Sequence, residues 1–412
     1  MKTIAIVMSI DTKEEEASFL KQYIERNGQR ALIIDISASG NYEPKSFVPD
    51  ISREEVCKEG GTDPAMLTSM KKNEAIQAMM SGIETIMPRL YSESRFDAVI
   101  SAGGLQNTIT AVGAMKTLPI GVPKVMVSTV ACGERKFEPF VGIKDIIMIP
   151  SIADISGINT VTKTILSNGA SAIIGMAREA KPLIRDGKLR VGVTMMGVTN
   201  NSAAQAVRIL ERNGVEVVSF HSTGVGGRCF EYLIQEGIIG AAIDLSLHEV
   251  VSADVFGCGF SNGAPGRLIA GARAGIPMVV APGALDFIDL YVEDFKNGAI
   301  GDYTKRKYTL HNNLVAHIKL FADESKKAAE LVAERLNSAK GPVTVIFPLR
   351  GLRTESQLGQ KLYDPEVDNI ILDTLRKNLD RKIRRVEVDA NINDMLFSKT
   401  IAQEMLELIR DI

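Results

Sequence analysis

The chain has 412 residues, of which 45% are hydrophobic, so it can bury the cores of two or three domains. Its 48 basic and 50 acidic residues give a net charge of −2, without the basic excess typical of nucleic-acid-binding proteins. No apolar run reaches the roughly 18 residues of a membrane span. The four cysteines lack metal or disulfide spacing. We therefore expect a cytoplasmic protein that binds neither nucleic acid nor membrane.

The first polar cluster, Asp11-Thr12-Lys13, follows a predicted strand over residues 4–8 and precedes a predicted helix that Gly28 ends. Thr12 and Glu15 have the spacing of a capping box, so a helix N-cap is one interpretation. A ligand site is the other, because both Asp11 and Lys13 stand at the carboxyl end of a strand. There Asp11 could hold a divalent ion and Lys13 could reach a phosphate.

Residues 96–133 predict a strand, a glycine turn, a helix, a second strand and a loop that closes at Gly133. Glycines at the turn leave room for a ligand, and the amides at the start of the helix would point back at it. The carboxyl ends of neighbouring parallel strands face one crevice, which favours a phosphate site. An ordinary Gly-Gly turn is the alternative. The residues predicted to bind the ligand here are Gly103, Gly104, Thr108, Ser128 and Thr129.

The polar stretch at residues 185–188 predicts a boundary between domains 1–185 and 186–412. Beyond it the pattern restarts, because Glu25-Arg-Asn-Gly28 returns as Glu211-Arg-Asn-Gly214 between a helix and a strand in both halves. We therefore expect an α/β protein with two Rossmann-like three-layer domains and mainly parallel sheets. Duplication is one origin of that similarity.

The second half contains a glycine-rich loop after the predicted strand over residues 216–220. Its glycines, Gly224, Gly226 and Gly227, could wrap a carboxylate or phosphate that Arg228 holds in a bidentate pair. The spacing fits neither the P-loop nor the dinucleotide fingerprint. Arg350, in a loop after another predicted strand, is the second arginine that we expect to clamp an anion.

Acid–base candidates follow the next strands of the second half. Asp244 near a strand end, with His248 and Glu249 just after it, could form a metal site or an acid–base pair. The alternative is that these three residues cap a helix or are polar simply because they face solvent. Further polar groups stand in the turn at residues 282–286 and beside Asn312. The residues that we predict to transfer protons are Asp244, His248, Glu249, Asp286 and His311.

Several motifs taken together resemble one family. They are Asp11-Thr12-Lys13, Gly103-Gly104 with Thr108, residues 118–129, Gly224-Val-Gly-Gly-Arg228, residues 282–286, His311-Asn312, Pro348-Leu-Arg-Gly351, Tyr363-Asp-Pro365 and Ile392-Asn-Asp394. Over nearly the whole chain they are similar to the Tm-1-like ATP-binding domain family, which is named after the N-terminal domain of the tomato-mosaic-virus resistance protein.

The resemblance implies a two-subdomain α/β protein that binds ATP with Mg²⁺ and forms a homodimer. Some relatives stand beside or are fused to a phosphoenolpyruvate-type barrel, which implies such a barrel as a partner. Three departures stand out. Residues 104–108 read Gly-Leu-Gln-Asn-Thr where the family has Gly-Ser-Gly-Gly-Thr, residues 247–249 read Leu-His-Glu instead of Thr-Thr-Glu, and Asn391 replaces a histidine.

Three functional hypotheses follow. The first is a protein that binds ATP, a related nucleotide or another phosphorylated ligand in the first domain. The second is a metabolic enzyme of hydrolase or lyase type, acting on a small organic acid or phosphorylated metabolite in the second domain or the cleft between domains. The third is an interaction protein, as the plant relative is, although the chain has no tryptophan to anchor an interface.

Overall fold

The computed structural model describes residues 1–38, 42–67, 69–131, 138–410 and 412. The loop that closes at Gly133 therefore lies outside the described residues. The chain divides into Met1–Leu183 and Ile184–Ile412, called unit 1 and unit 2 below.

The sheet of unit 1 has the strand order β2-β1-β3-β4-β5, and every pairing is parallel. This is the flavodoxin-like order of doubly wound sheets. Nearly all residues of β1 to β4 are buried, and their sequences are apolar runs because helices cover both faces of the sheet. The strands are β1 Thr3–Met8, β2 Arg30–Asp35, β3 Ala98–Gly103, β4 Lys124–Ser128 and β5 Ile147–Pro150.

Alternate residues of β1 pack into two different cores, which makes unit 1 a three-layer structure. Ile4, Ile6 and Met8 pack with α1 and α6, whereas Ala5 and Val7 pack with α3 and α4. The helices are α1 Ile10–Arg26, α2 Arg53–Glu59, α3 Lys72–Ser92, α4 Leu105–Thr117, α5 Glu138–Val141 and α6 Thr160–Glu179, and a 3₁₀ turn spans Pro64–Met66.

The large sheet of unit 2 has the order β14-β13-β9-β8-β6-β7, again with parallel pairings. Read from β7, its first five strands follow the same order as those of unit 1. The predicted α/β class with parallel, Rossmann-like layers is therefore confirmed. The strands are β6 Arg190–Met195, β7 Glu216–His221, β8 Ala241–Asp244, β9 Met278–Val280, β13 Val343–Pro348 and β14 Arg384–Val388.

Unit 2 also contains an antiparallel sheet that the sequence patterns did not predict. Its strands are β10 Phe287–Tyr291, β11 Tyr308–Leu310 and β12 Val315–Lys319, in the order β10-β12-β11. The helices of unit 2 are α7 Asn200–Arg212, α8 Val225–Gln235, α9 Ile269–Ala274, α10 Val292–Lys296, α11 Ala322–Asn337, α12 Pro365–Asn378 and α13 Met395–Leu408. A π-helix spans Val250–Phe256, and 3₁₀ turns span Gly197–Thr199, Tyr303–Lys305 and Thr354–Ser356.

The repeated Glu-Arg-Asn-Gly motif has the same local structure in both units. α1 ends at Arg26 and α7 at Arg212, and in each case Asn is the C-cap and the following glycine has a positive φ. Gly28 and Gly214 adopt φ of 73° and 79°, a left-handed conformation that stops a helix and that glycine adopts without strain. The motif is thus a helix stop that precedes the second strand of each unit.

Candidate functional site

Unit 1 contains a cavity of about 570 Å³ at the carboxyl ends of β1 and β3, called the unit 1 cavity. The helices that follow these two strands, α1 and α4, lie on opposite faces of the sheet, and doubly wound sheets bind ligands at such a point. Four of the predicted ligand residues line this cavity: Asp11, Thr12, Lys13 and Gly104.

The two helices that start at this cavity differ in whether their first amides are already used. At α1, Asp35 accepts a hydrogen bond from the Ile10 amide at 3.4 Å, and the Ser37 hydroxyl accepts one from the Asp11 amide at 2.9 Å. At α4 the N-cap is Gly104, which has no side chain to cap the first turn. The amides and positive dipole end of α4 therefore offer the better anion site.

Asn107 fixes the turn that precedes α4. Its side-chain oxygen accepts a hydrogen bond from the Ser9 amide at 2.9 Å, and its side-chain nitrogen donates to the Ser101 hydroxyl at 2.9 Å. A Cβ at Gly103 would lie 2.6 Å from the Asn107 Cβ, so this glycine makes room for a protein side chain rather than for a ligand. The asparagine that departs from the family turn thus links the ends of β1 and β3.

The charged residues of the cavity include an unpaired carboxylate oxygen. Asp11 Oδ1 is buried, and within the described residues it has no hydrogen-bond partner. A buried carboxylate oxygen of this kind fits a bound cation such as Mg²⁺. Lys13 and Lys72 add positive charge to the lining. The predicted N-cap role of Thr12 is wrong, because the N-cap of α1 is Ser9 and the Thr12 hydroxyl donates to the Ser9 carbonyl at 3.4 Å, just before a kink at Lys13.

The remaining predicted residues of unit 1 lie beside this cavity rather than in its lining. Thr108 and Ser128 are fully buried, and their hydroxyl oxygens are 2.7 Å apart, so they connect α4 to β4. Thr129 is half-buried, and its hydroxyl lies 3.8 Å from the position that a Cβ of residue 104 would take. Their contribution to ligand binding stays a prediction.

Unit 2 contains a cavity of about 510 Å³, called the unit 2 cavity, in which its histidines converge. The chain has four histidines. His221, His311 and His317 line the cavity, and His248 contacts the lining residue Asp289. Only His248 and His311 were predicted as site residues.

The register of the antiparallel sheet brings these side chains together. Asp289 of β10 is paired with His317 of β12, and Thr309 of β11 lies opposite His317 on the other side. His311 stands two residues after Thr309 and therefore faces the same side of the sheet. The His311 and His317 rings stack with centroids 4.7 Å apart.

A buried His–Asp pair forms part of this wall. His248 Nε2 lies 2.9 Å from Asp289 Oδ1, and the Ser261 hydroxyl donates to Asp289 Oδ2 at 2.7 Å. Burial raises the pKa of Asp289, but His248 and the hydrogen bonds from Ser261 outweigh it and lower that pKa to about 2. Asp289 therefore stays ionised at neutral pH and can orient His248.

The predicted residue Asp286 belongs to a buried ion network next to this cavity. Arg353 Nε lies 3.0 Å from both Asp286 oxygens, and Lys319 bridges Asp286 and Asp368 at 2.7 and 2.6 Å. Burial raises the pKa of Asp286, but the charges of Arg353 and Lys319 outweigh it and lower that pKa. Asp286 is fully buried and does not line the unit 2 cavity, but its partner Arg353 contacts Glu355, which does.

Two other predicted catalytic residues, Asp244 and Glu249, hold a buried arginine. Arg267 Nη2 donates to both Asp244 oxygens at 2.7 Å, and its Nη1 contacts Glu249. Glu249 also accepts hydrogen bonds from the amides of Gly224 and Gly227, at 2.5 and 3.1 Å. The glycine-rich loop thus wraps a carboxylate, but that carboxylate belongs to the protein.

The other predicted anion residues of unit 2 do not line the unit 2 cavity. A Cβ at Gly226 would lie 1.9 Å from the His221 carbonyl oxygen, which explains this glycine by backbone packing. Arg228 is exposed. Arg350 forms an exposed bidentate pair with Asp389 at 2.6 and 2.7 Å, beside a separate cavity of about 270 Å³.

Comparison with family models identifies the chain. The model for the "Uncharacterised protein family (UPF0261) N-terminal domain" matches residues 2–182, and that for the C-terminal domain matches residues 188–409. The chain belongs to the UPF0261 family. Among the described residues, no helix is long and apolar enough to cross a membrane.

Relatives within the UPF0261 family cover almost the whole chain. A UPF0261 protein of Clostridium tetani is 38% identical over 415 residues, which cover 99% of each chain. The ToMV resistance protein Tm-1(GCR237) of Solanum lycopersicum is 32% identical over 423 residues, which cover 97% of this chain and 54% of the tomato protein. The relation to the tomato proteins that the motifs indicated is therefore confirmed.

Solved structures give weaker likenesses. UDP-N-acetylglucosamine 2-epimerase from Rickettsia bellii matches with a TM-score of 0.24 and 9% identity, over 68% of this chain and 78% of that chain. MurG from Acinetobacter baumannii matches with a TM-score of 0.23 and 11% identity, over 99% and 100% of the two chains. TM-scores this low do not establish a shared fold. The fold class follows from the strand order of the two parallel sheets.

Several residues in or beside the two cavities of this UPF0261 protein were not predicted as site residues from the sequence. In unit 1 they are Asn107 and Lys72, and in unit 2 they are His317, Glu355, Asp289 and Arg353. One signal could have identified His317, since it is one of only four histidines and stands in an apolar run, Val315-Ala-His-Ile-Lys319. The others depend on the antiparallel sheet and the turn after β13.

Proposed function

We propose that unit 1 binds a small phosphate-bearing ligand, ATP or a related nucleotide, with its phosphates at the start of α4. One observation carries the proposal. The first turn of α4, whose N-cap is the glycine Gly104, lines the unit 1 cavity where the strand order reverses. Helix starts at this place bind phosphates because their free amides and dipole favour negative charge.

The lining supplies groups for the phosphates and the base of a nucleotide. Lys13 and Lys72 provide positive charge for phosphates, and Leu67 and Met70 provide an apolar surface for a base. Asp11 would hold Mg²⁺, whose charge neutralises phosphate oxygens. The volume of about 570 Å³ lies within the usual range of small-molecule sites.

Isothermal titration calorimetry with Mg-ATP tests the proposal, with Gly104→Asp as the decisive variant. Residue 104 has φ −78° and ψ −169°, an extended backbone that any residue adopts, and among the described residues a Cβ there meets only Thr129 Oγ1, at 3.8 Å. Aspartate is a preferred N-cap, so the variant should keep or gain stability. Its carboxylate would compete for the α4 amides and raise Kd at least about tenfold, which corresponds to ~1.4 kcal/mol.

A lysine pair on α1 provides a matched control. Lys13→Ala removes a charge from the cavity lining and should weaken Mg-ATP binding about tenfold. Lys21→Ala removes the same group farther along the helix, where Lys21 pairs with Glu25, and should leave Kd unchanged. Equal Kd values for wild type, Gly104→Asp and Lys13→Ala would remove the α4 start as the phosphate site. If no nucleotide released or absorbed heat on titration, the proposal that unit 1 binds a nucleotide would be refuted.

A second candidate function is an enzyme acting on a small organic acid at the unit 2 cavity. The convergence of the histidines beside the buried His248–Asp289 pair favours it, because histidines are the usual groups for proton transfer near neutral pH. A thermal-shift screen of small carboxylic acids tests this candidate. A shift should persist in Gly104→Asp and disappear in Asp289→Asn, and a shift that persists in both would exclude this site.

A homodimer and a phosphoenolpyruvate-type barrel partner remain proposals that rest on the family resemblance. Size-exclusion chromatography with light scattering tests the first. Co-purification with a barrel protein of that type tests the second.

A further inference from the structure

We propose that His311, His317 and Glu355 bind one divalent transition-metal ion in the unit 2 cavity. Zn²⁺ is the best-suited occupant. The proposal goes beyond nucleotide binding in unit 1 and does not rest on it.

The three side chains already stand close enough to share an ion. Their potential ligand atoms all lie within 4.8 Å of one another. Ligands about 2 Å from a zinc ion are themselves roughly 3 to 4 Å apart. Small side-chain rotations therefore separate this arrangement from a coordinated one. His317 Nδ1 lies 2.9 Å from one Glu355 oxygen, so the imidazole and the carboxylate already face each other.

The backbone that carries two of these ligands, His317 and Glu355, is well anchored, whereas His311 is exposed and follows the end of β11. His317 lies in β12, the middle strand of the antiparallel sheet, which is paired on both sides. Glu355 lies in the 3₁₀ turn after β13, where the Ser356 hydroxyl accepts hydrogen bonds from the Leu352 and Arg353 amides at 3.0 Å. The Arg353 guanidinium lies 4.0 Å from the Phe287 ring centroid, which fixes the turn further. Such support keeps metal ligands in place.

The ligand types select the class of metal. Two imidazoles and one carboxylate suit Zn²⁺, Fe²⁺ or Co²⁺, whereas Mg²⁺ and Ca²⁺ prefer oxygen ligands alone. Three protein ligands leave at least one coordination position for another ligand. All three line the unit 2 cavity, so that position is open to a small oxygen ligand such as water or a carboxylate.

Cobalt substitution of the 412-residue chain tests the site directly. Metal-free protein prepared by chelation and dialysis is titrated with Co²⁺, whose visible absorption reports bound ligands, and then with Zn²⁺ in competition. We expect one ion per chain. His317→Gln and Glu355→Gln should each lower affinity more than about 100-fold, because even supporting residues outside the ligand set contribute 10- to 100-fold.

His221→Gln is the matched control, since His221 lines the same cavity outside the ligand set. It should bind within about threefold of wild type, which is less than the effect of a supporting residue. Melting curves without metal establish that each variant folds. Gly104→Asp should bind Co²⁺ normally, which separates this site from the nucleotide proposal. Wild-type affinity in folded His317→Gln and Glu355→Gln, or an equal loss in His221→Gln, would overturn the proposed ligand set.

Discussion

The buried arginine of unit 2 gives the sharpest prediction about stability. Arg267 is fully buried, and its guanidinium faces Asp244 at 2.7 Å, Glu231 at 3.5 Å and Glu249. Burial alone lowers the pKa of Arg267, but the three carboxylates outweigh it and raise that pKa, so the arginine stays charged. Replacement by methionine, Arg267→Met, keeps much of the side-chain volume and removes the charge.

The cost of this substitution follows from what it leaves behind. Three carboxylates with little or no exposure lose the cation that compensates them, and breaking a buried ion pair costs about 3 to 5 kcal/mol. For a domain of this size that corresponds to a fall in Tm of roughly 6 to 20 °C. The Arg267→Met variant should recover part of the loss as pH falls, because burial raises the pKa of Glu231 and Glu249 and protonation neutralises them.

Differential scanning calorimetry at pH 8 and pH 5 measures both effects, with Arg350→Met as the control. Arg350 also forms a bidentate pair with an aspartate, but both side chains are about two-thirds exposed, and exposed pairs contribute little. The control should therefore melt close to wild type. If Arg267→Met melted no lower than Arg350→Met, the proposal that Asp244 and Glu249 serve to bind Arg267 would be refuted. Their predicted catalytic role would then be the better explanation.

Two further predictions concern packing and pH. Gly82→Ala would place a Cβ 1.9 Å from the Val56 carbonyl oxygen and should lower the free energy of unfolding by about 1 to 3 kcal/mol. Gly175→Ala, in open space within α6, should raise it by roughly 0.5 to 1 kcal/mol, and urea unfolding compares the two. The lowered pKa of Asp289 stabilises the fold above pH 4, and about 2 kcal/mol should be lost as pH falls from 4 towards 2. Asp289→Asn should flatten that dependence in acid unfolding curves, and an unchanged slope would contradict it.

The sequence was most informative where a local pattern decides the structure. Strands buried on both faces appear as continuous apolar runs, so β1, β3 and β4 were predicted close to their observed bounds. The Glu-Arg-Asn-Gly motif marked equivalent helix ends because glycine alone adopts a positive φ there without strain. Polar residues and glycines directly after these strands likewise predicted Asp11, Lys13 and Gly104 as ligand residues, and the strand order brings all three into one cavity.

It was least informative where contacts are distant along the chain. Asp244 and Glu249 are residue types that could transfer protons, which suggested a catalytic role. Both instead bind the guanidinium of Arg267, which is 18 or more residues away in the sequence. The three short strands of the antiparallel sheet have no long alternating pattern, so their pairing could not be predicted. Without that pairing, the sequence does not indicate that His317 and Glu355, which are 38 residues apart, lie within hydrogen-bond distance of each other.

The two units share one strand order but differ in how the charged groups at the strand ends are paired. At the end of β8 in unit 2, the protein supplies both the anions, Asp244 and Glu249, and the cation, Arg267, so the charges there are already balanced. At the corresponding end of β3 in unit 1, the start of α4 has no side-chain cap, and the nearby Asp11 Oδ1 has no hydrogen-bond partner in the described part of the chain. A glycine at the helix start and an unpartnered carboxylate oxygen in one cavity are the two features on which the proposed binding of phosphate with a cation rests. In unit 2 the ionisable side chains that face the unit 2 cavity lie instead at and around the antiparallel sheet, where the histidines are.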